Sequence, residues 1–367
     1  MQYSLYTWNV NGIRAVSKKG FLEWFKATQP DVLGVQEIKA DDEKMSEWWQ
    51  AVSGQSLVAD DSTDLFGDVE VTPVSPLEGV DTSHLLTLDG KVGNSYPFTK
   101  GSNQNGLGDL EFSGKNEGIL KQVQDDDVLG NNPQATLDPF NRGMKKKPKK
   151  SDFENTGIFD NYDIVWLACS IKKGYSGTAI FYRKDKFKDA KVSTGLGVQK
   201  FDDEGRITIL DTQDFVVING YYPQGSREGR IPFKLEFYNE VLKKVQDYQK
   251  QGKKVMLCGD LNTTVADIDL ARPKENRKTT GCLPEEREVL ENLKKSNLLD
   301  AFRHFYPDKV DEYSYWDQIS RARDRNVGWR IDYFLVDTGL IPNLKECRMH
   351  QDVFGSDHCP VSITLTI

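Results

Sequence analysis

Five short stretches of this chain each end an apolar run on polar side chains that could act together. They are Asn9 and Asn11 in WNVNG, Glu37 in VQEIK, Asp260 and Asn262 in CGDLN, Asp332 in GWRIDYF, and Asp357 with His358 in GSDHCP. One such stretch alone signifies little, because a strand-end Asp or Asn is more often a turn former or a cap. Their recurrence at the carboxyl ends of successive apolar runs is what matters, since open α/β sheets gather their sites there. The set is rich in oxygen and poor in soft ligands. Glu37, Asp260 and Asp357, with Asn9, Asn11 and Asn262, suit a hard cation such as Mg²⁺, which takes carboxylates and retained waters. His358, with Asp332 as its partner, can orient a group or accept a proton. A hard cation, a His–Asp pair and amide donors for oxyanions together suit hydrolysis of a phosphodiester.

His358 also adjoins Cys359, which raises zinc as an alternative. The five cysteines (169, 258, 282, 347 and 359) are widely spaced, with no CxxC pair and no second pair of ligands near DHCP. That pattern argues against a structural zinc site and a disulfide framework, and fits a reducing compartment. No apolar run approaches the roughly 20 residues that cross a bilayer. The opening MQYSLYTWNV lacks the basic region and apolar stretch of a signal peptide, so no membrane partner is expected.

The elements that must position these residues follow from periodicity. YSLYTWNV reads as a strand, SKKGFLEWFKATQ as a helix with Phe21, Leu22, Trp24 and Phe25 on one face, and PDVLGVQEIK as a buried strand. YDIVWLAC, SGTAIFYRK, RITILDT and FVVINGYYP read as successive short strands. A helix over IPFKLEFYNEVLKKVQDYQKQG, stopped by Gly252, precedes the buried strand KKVMLCGDLN. Strands following one another between helices favour two packed sheets flanked by helices over a singly wound parallel sheet. From about 51 to 157 the pattern fails: the segment is rich in Gly, Asn, Asp and Ser, contains His84 and the basic tract MKKKPKK, and holds 17 acidic against 10 basic side chains. It reads as an insertion in a single domain spanning 1–367, either largely disordered or a small subdomain, able to bind a partner. The net charge of −8 belongs mostly to that segment; the remainder carries 39 acids and 38 bases, leaving room for a basic face.

The blocks WNVNGIRA, PDVLGVQEIKA, KKGYSGTAI, INGYYPQG, LCGDLN, NVGWRIDYFLV and GSDHCPV, in that order, resemble the signature blocks of the exonuclease III family of AP endonucleases. The likeness covers residues 1–50 and about 160–367. It implies a DNase I-like four-layer α/β sandwich, two packed mixed β-sheets flanked by helices. It also implies a Mg²⁺-dependent enzyme, with Mn²⁺ as a substitute, that cleaves duplex DNA 5′ to abasic sites. Additional 3′→5′ exonuclease, 3′-phosphatase and 3′-phosphodiesterase activities belong to the same family. By the resemblance, Glu37 is the principal metal ligand with Asn11 and Asp357 near the same ion, Asn11 standing where some members carry aspartate. Asn9 and Asn262 match amides that contact the phosphate or the attacking water, Asp260 orients or deprotonates that water, and Asp260 and Asn262 also border the metal. His358 matches the phosphate-contacting histidine, Asp332 its partner, and Tyr221 the active-site tyrosine. Tyr315, Trp329 and Ile331, with Ile319 as a further candidate, match the apolar pocket for a flipped-out sugar lacking its base; Trp316 reads as a core aromatic instead. Arg227 is a candidate for reaching the DNA backbone or a groove, with Lys172, Lys173, Tyr175, Asn276 and Lys278 as weaker candidates for phosphate contacts. The resemblance further implies a monomer, cytoplasmic and nucleoid-associated in a bacterium or nuclear in a eukaryote. Two rivals remain: a phosphoesterase of the same fold acting on small molecules or lipids, and a non-catalytic DNA-binding scaffold.

Overall fold

In the computed structural model the described residues are 1–55 and 157–367. The insertion's central part, with His84 and MKKKPKK, lies outside them. In chain order the elements are β1 (Gln2–Asn9), α1 (Ile13–Val16), α2 (Phe21–Thr28), β2 (Val32–Gln36), α3 (Asp42–Ser53), β3 (Tyr162–Leu167), β4 (Thr178–Arg183), β5 (Lys191–Thr194), α4 (Gln199–Asp202), β6 (Ile207–Asp211) and β7 (Val216–Tyr221). There follow α5 (Arg230–Lys250), β8 (Val255–Asp260), α6 (Pro284–Lys295), β9 (Leu298–Asp300), α7 (Ala301–Phe305), β10 (Asp332–Asp337), β11 (Leu344–Met349) and β12 (Val361–Thr366). Helix α3 runs to Ser53 and closes on the left-handed Gly54, so regular structure continues past position 51, where the insertion was expected to begin.

The strands form two six-stranded sheets, ordered β11-β12-β1-β2-β4-β3 and β5-β6-β7-β8-β10-β9. Each is mixed: β1 with β2 and β7 with β8 are the parallel pairs, and every other pairing is antiparallel. Three apolar layers make this the expected four-layer sandwich. Between the sheets lie Leu5, Val32, Ile180, Leu210, Val217, Met256, Phe334 and Ile363. Outside the first sheet, Trp8, Leu33, Val35 and Phe181 pack against Phe21 and Phe25 of α2 and Trp48 and Trp49 of α3. Outside the second, Ile218, Leu257 and Leu335 pack against Phe237 and Val241 of α5 and Leu290 and Leu293 of α6. Each fully buried side chain of this size stabilises the fold by about 1.5–3 kcal/mol.

Strand alternation then decides where the polar residues point. In β8, Met256 and Cys258 face the other sheet while Val255 and Leu257 face the helices, so Asp260 continues the inter-sheet parity. Asp332 does so in β10 with Phe334 and Val336, as does Asn9 in β1 with Tyr3 and Leu5. In the dry middle of the interface the sheets are also joined by amides. Gln36 Nε2 donates to Asn219 Oδ1 (2.5 Å), and Asn219 Nδ2 donates to the carbonyls of Val35 (3.2 Å) and Ala179 (3.1 Å) and to Thr208 Oγ1 (3.0 Å). Gly34 permits this approach, because a Cβ there would stand 2.5 Å from Asn219 Oδ1.

Asn219→Ala removes the joint and leaves its buried partners unsatisfied. We expect it to cost about 3 kcal/mol in urea unfolding; a loss below about 1 kcal/mol would show that the sheets do not depend on it.

Candidate active site

The carboxyl ends of β1, β2, β7 and β8 lie at one edge of the sandwich, and β10 begins there. Register places Asp260 opposite both Tyr221 and Asp332, and Asn9 opposite Gln36, the residue before Glu37. The loop before β12 adds Asp357 and His358 from the other sheet. It is tied down locally: Ser356 Oγ donates to the Asn9 carbonyl (2.8 Å), and Trp8 Nε1 donates to the His358 carbonyl (3.1 Å).

Two groups result, joined by one amide. In the first, His358 Nδ1 bonds Asp332 Oδ2 at 2.8 Å, and His358 Nε2 lies 3.8 Å from Asp260 Oδ2. Asp260 is 2% exposed, Asp332 1% and His358 5%. Among the described residues these three are the one His/Cys/Asp/Glu cluster whose ligand atoms all lie within 4.8 Å of one another. Asp260 Oδ1 accepts from the Asn262 backbone N–H (2.9 Å), and Oδ2 accepts from Asn9 Nδ2 (2.9 Å). In the second group, Glu37 Oε1 accepts a long bond from the same Asn9 Nδ2 (3.4 Å), and Asn11 Nδ2 donates to Asp357 Oδ1 (3.0 Å). Lys39 Nζ stands 2.5 Å from Glu37 Oε2 and 2.5 Å from Asn11 Oδ1.

Burial and charge set the protonation states. Burial alone would lower the pKa of His358, but the negative charges of Asp332 and then Asp260 outweigh it and raise the value to about 10, so the imidazole is a cation at neutral pH. Burial raises Asp260 to about 7; the His358 charge opposes this, Asp332 adds to it, and the Asn9 bond lowers it. A carboxyl poised near neutrality is suited to exchanging a proton with water. Burial, with the charge of Glu37 next, pushes the Tyr221 hydroxyl well above its ordinary value, so it stays a donor.

The backbone at the site is strained in a shared way. Asn11, Glu37, Lys39 and Asn262 all adopt positive φ, between 49° and 54°, without being glycine. Such conformations each cost about 1–3 kcal/mol and persist where surrounding bonds over-determine them.

The second group is the better cation site. Its donors are oxygens alone, Glu37, Asn11 and Asp357 are partly open to solvent, and an ammonium already bridges two of those oxygens. These residues fit a hard divalent ion. The oxygens of Asp260 are occupied by amide donors and its neighbour is a charged histidine, so the expected metal set divides: Glu37, Asn11 and Asp357 on one side, Asp260 and Asn262 on the other.

Tyr315 and Trp329 exchange backbone bonds in both directions at 2.9 Å, and the Tyr315 ring lies 4.8 Å from His358. Both side chains are half-buried and Ile331 is buried, whereas Trp316 is in the core with its Nε1 on Asn326 Oδ1 (3.0 Å). Ile319 is 95% exposed on a surface turn. Arg227, Lys173, Lys172 and Lys278 are exposed and not packed into the cluster, and Asn276 Nδ2 caps the Arg272 carbonyl (2.8 Å) on a surface loop. Tyr175 joins the site indirectly. Its hydroxyl accepts from Arg206 Nη2 (3.0 Å), and the same buried guanidinium lies 4.9 Å from the Tyr221 ring centre.

Three supporting residues escape a reading of the sequence. Arg206 has just been described. Lys234, on the inward face of α5 and fully buried, donates to the Asn262 carbonyl and to Glu286 Oε1, both at 2.7 Å. Lys39 follows Glu37 in QEIK; its spacing was visible, its contact was not. Cys359 is a core residue, its Sγ 3.7 Å from the Tyr313 carbonyl, and all five cysteines are buried and free.

A family model described as the endonuclease/exonuclease/phosphatase family matches residues 6–358. The chain belongs to that family. Among curated relatives, this nuclease is 40% identical over 210 residues to the exodeoxyribonuclease of Bacillus subtilis, covering 57% of this chain and 81% of that one. It is 35% identical over 220 residues to the zebrafish (Danio rerio) DNA repair nuclease APEX1, covering 58% and 67%. Its fold is that of an AP endonuclease from Leishmania major, with a TM-score of 0.65 at 21% identity over 100% of this chain and 88% of that one.

Asp332 is the first charge that holds His358 protonated, which gives a sign to test. A raised histidine pKa contributes stability that is complete below the ordinary 6.5 and lost as pH climbs towards about 10. Asp332→Asn should therefore flatten the stability profile between pH 6.5 and 10, read by urea unfolding in EDTA. Parallel profiles for the two proteins would contradict the coupling.

Proposed function

We propose that this nuclease hydrolyses the phosphodiester on the 5′ side of an abasic site in duplex DNA, leaving a 3′-hydroxyl and a 5′-deoxyribose phosphate. The carrying observation is the buried Asp260–His358–Asp332 cluster between an oxygen-only cation site and a half-buried aromatic wall. Relatives named exodeoxyribonuclease and DNA repair nuclease support the reading. So does a structural neighbour described as a 3′ phosphatase bound to product DNA hairpin, as an indication of the substrate class the fold admits.

The side chains divide the work. Asp260, raised to about 7, holds the attacking water and takes its proton, while Asn262 and Asn9 fix the carboxylate that does so. The His358 imidazolium faces the non-bridging phosphate oxygens and balances the charge that grows on them, with Asp332 positioning its ring. Tyr221, kept protonated, donates to the same phosphate or to the leaving oxygen. Glu37, with Asn11 and Asp357 beside it and Asp260 and Asn262 bordering, would hold Mg²⁺, or Mn²⁺ in its place. When bound, such an ion supplies positive charge against the phosphate and the departing oxygen. Tyr315, Trp329 and Ile331 would receive a sugar without a base and leave no room for a base, and extrusion costs least where nothing has to be unstacked. Arg227, Lys173, Tyr175 and Asn276 would track the DNA around it. A lipid or small-molecule phosphoesterase would gain nothing from such a wall.

The test is incision of a duplex carrying one synthetic abasic site. We expect cleavage that EDTA abolishes, a loss of roughly 10³-fold for His358→Asn with the fold intact, and a Glu37→Ala loss that excess Mg²⁺ partly restores. Incision undiminished by EDTA, or faster hydrolysis of inositol phosphates than of abasic duplex, would overturn the assignment.

A further inference from the structure

The turn after β2 aims two opposite charges at one point. Glu37 and Lys39 are both left-handed, with φ of 54° and 49°. Four backbone bonds hold that conformation: Gly12 N–H to the Glu37 carbonyl (2.7 Å), Ile13 N–H to Ile38 (3.0 Å), Ile38 N–H to Gly177 (3.1 Å) and Lys39 N–H to Ser176 (2.9 Å). The result sets the Lys39 ammonium on Glu37 Oε2 and Asn11 Oδ1, each at 2.5 Å. These are the oxygens assigned above to a divalent ion. An ammonium is a compact point charge with donors only, so it needs the same lone pairs that a metal needs.

We propose that Lys39 is a resident counter-ion of the metal site, and that a divalent ion binds Glu37 and Asn11 by displacing its ammonium. The inference rests on the metal role given to Glu37. Two features favour exchange over simple co-occupancy. A divalent ion on the same two oxygens would lie within a few ångströms of the ammonium and repel it. The lysine side chain is 34% exposed, against 16% for Glu37, so its flexible stem can carry the head into solvent while the carboxylate stays fixed. Binding then trades one cation for another, and the affinity measured for the metal is the difference between them. In the metal-free protein Glu37 is not left as an uncompensated charge beside Asp260 and Asp357.

The experiment measures metal binding in the full chain without DNA and without turnover. Free Mn²⁺ is followed by electron paramagnetic resonance as each protein is titrated, and melting in EDTA checks that each is folded. Glu37→Gln should weaken Mn²⁺ binding. Lys39→Met should tighten it on the order of fivefold, the size of a partly exposed ion pair, and Lys39→Arg, which keeps a cation, should stay near the native value. Weakened binding in Glu37→Gln with unchanged or weaker binding in Lys39→Met would overturn the displacement and leave the metal role standing. Equal tightening by Lys39→Arg would also overturn it. Unaltered binding in Glu37→Gln would remove the metal role itself, and the inference with it.

Discussion

The site depends on one buried bond between sheets: His358 Nδ1 to Asp332 Oδ2, at 2.8 Å. His358 comes from the loop leading into β12 of the first sheet, and Asp332 opens β10 of the second. A charged imidazole could not remain 5% exposed without a carboxylate partner, so the sheets must meet in one register for the residue to exist in its working state. The rest of the sandwich enforces that register. Apolar side chains fill the interface, the Gln36–Asn219 joint locks its middle, and Gly34 makes room for the joint.

The same low-polarity setting that makes the bond strong also tunes its neighbours. Asp260 is pushed towards neutrality by burial and restrained by His358, so an acid and a cation lie side by side with separated roles. Amides from Asn9 and Asn262 fill the lone pairs that burial would otherwise leave empty. Towards solvent the character changes. Glu37, Asn11 and Asp357 keep partial exposure and oxygen-only chemistry, which suits a hydrated cation better than the buried cluster does. Asn9 touches both regions through a single nitrogen and ties the geometry of one to the other.

Much of this was legible in the sequence, because the polar residues sit at the ends of strands with clean period-2 patterns. Asp260 and Asp332 inherit their direction from apolar residues two and four positions away, and Asn9 from Leu5 and Tyr3 four and six positions away, and that parity fixes where they point. The exposed edge strand β5, KVST, escaped because its side chains show no buried face to mark it. Lys234 and Arg206 escaped for a different reason: a lysine or arginine in a sequence reads as surface, and only distant partners, Glu286 for Lys234 and the Tyr221 carbonyl and Tyr175 hydroxyl for Arg206, show why each is buried. Lys39 was visible as a residue, yet its contact with Glu37 arises from two left-handed backbone positions that no local propensity announces.

In the proposed mechanism residues from both sheets act as one chemical unit, with Asp332 working through His358. A double-mutant cycle on single-turnover incision of an abasic duplex tests this directly, using Asp332→Asn, His358→Asn and the double variant. The double variant should be about as slow as His358→Asn alone, because removing the histidine removes what the aspartate acts upon. Losses that multiply in the double variant would contradict it, and would make Asp332 an independent contributor rather than a positioning residue.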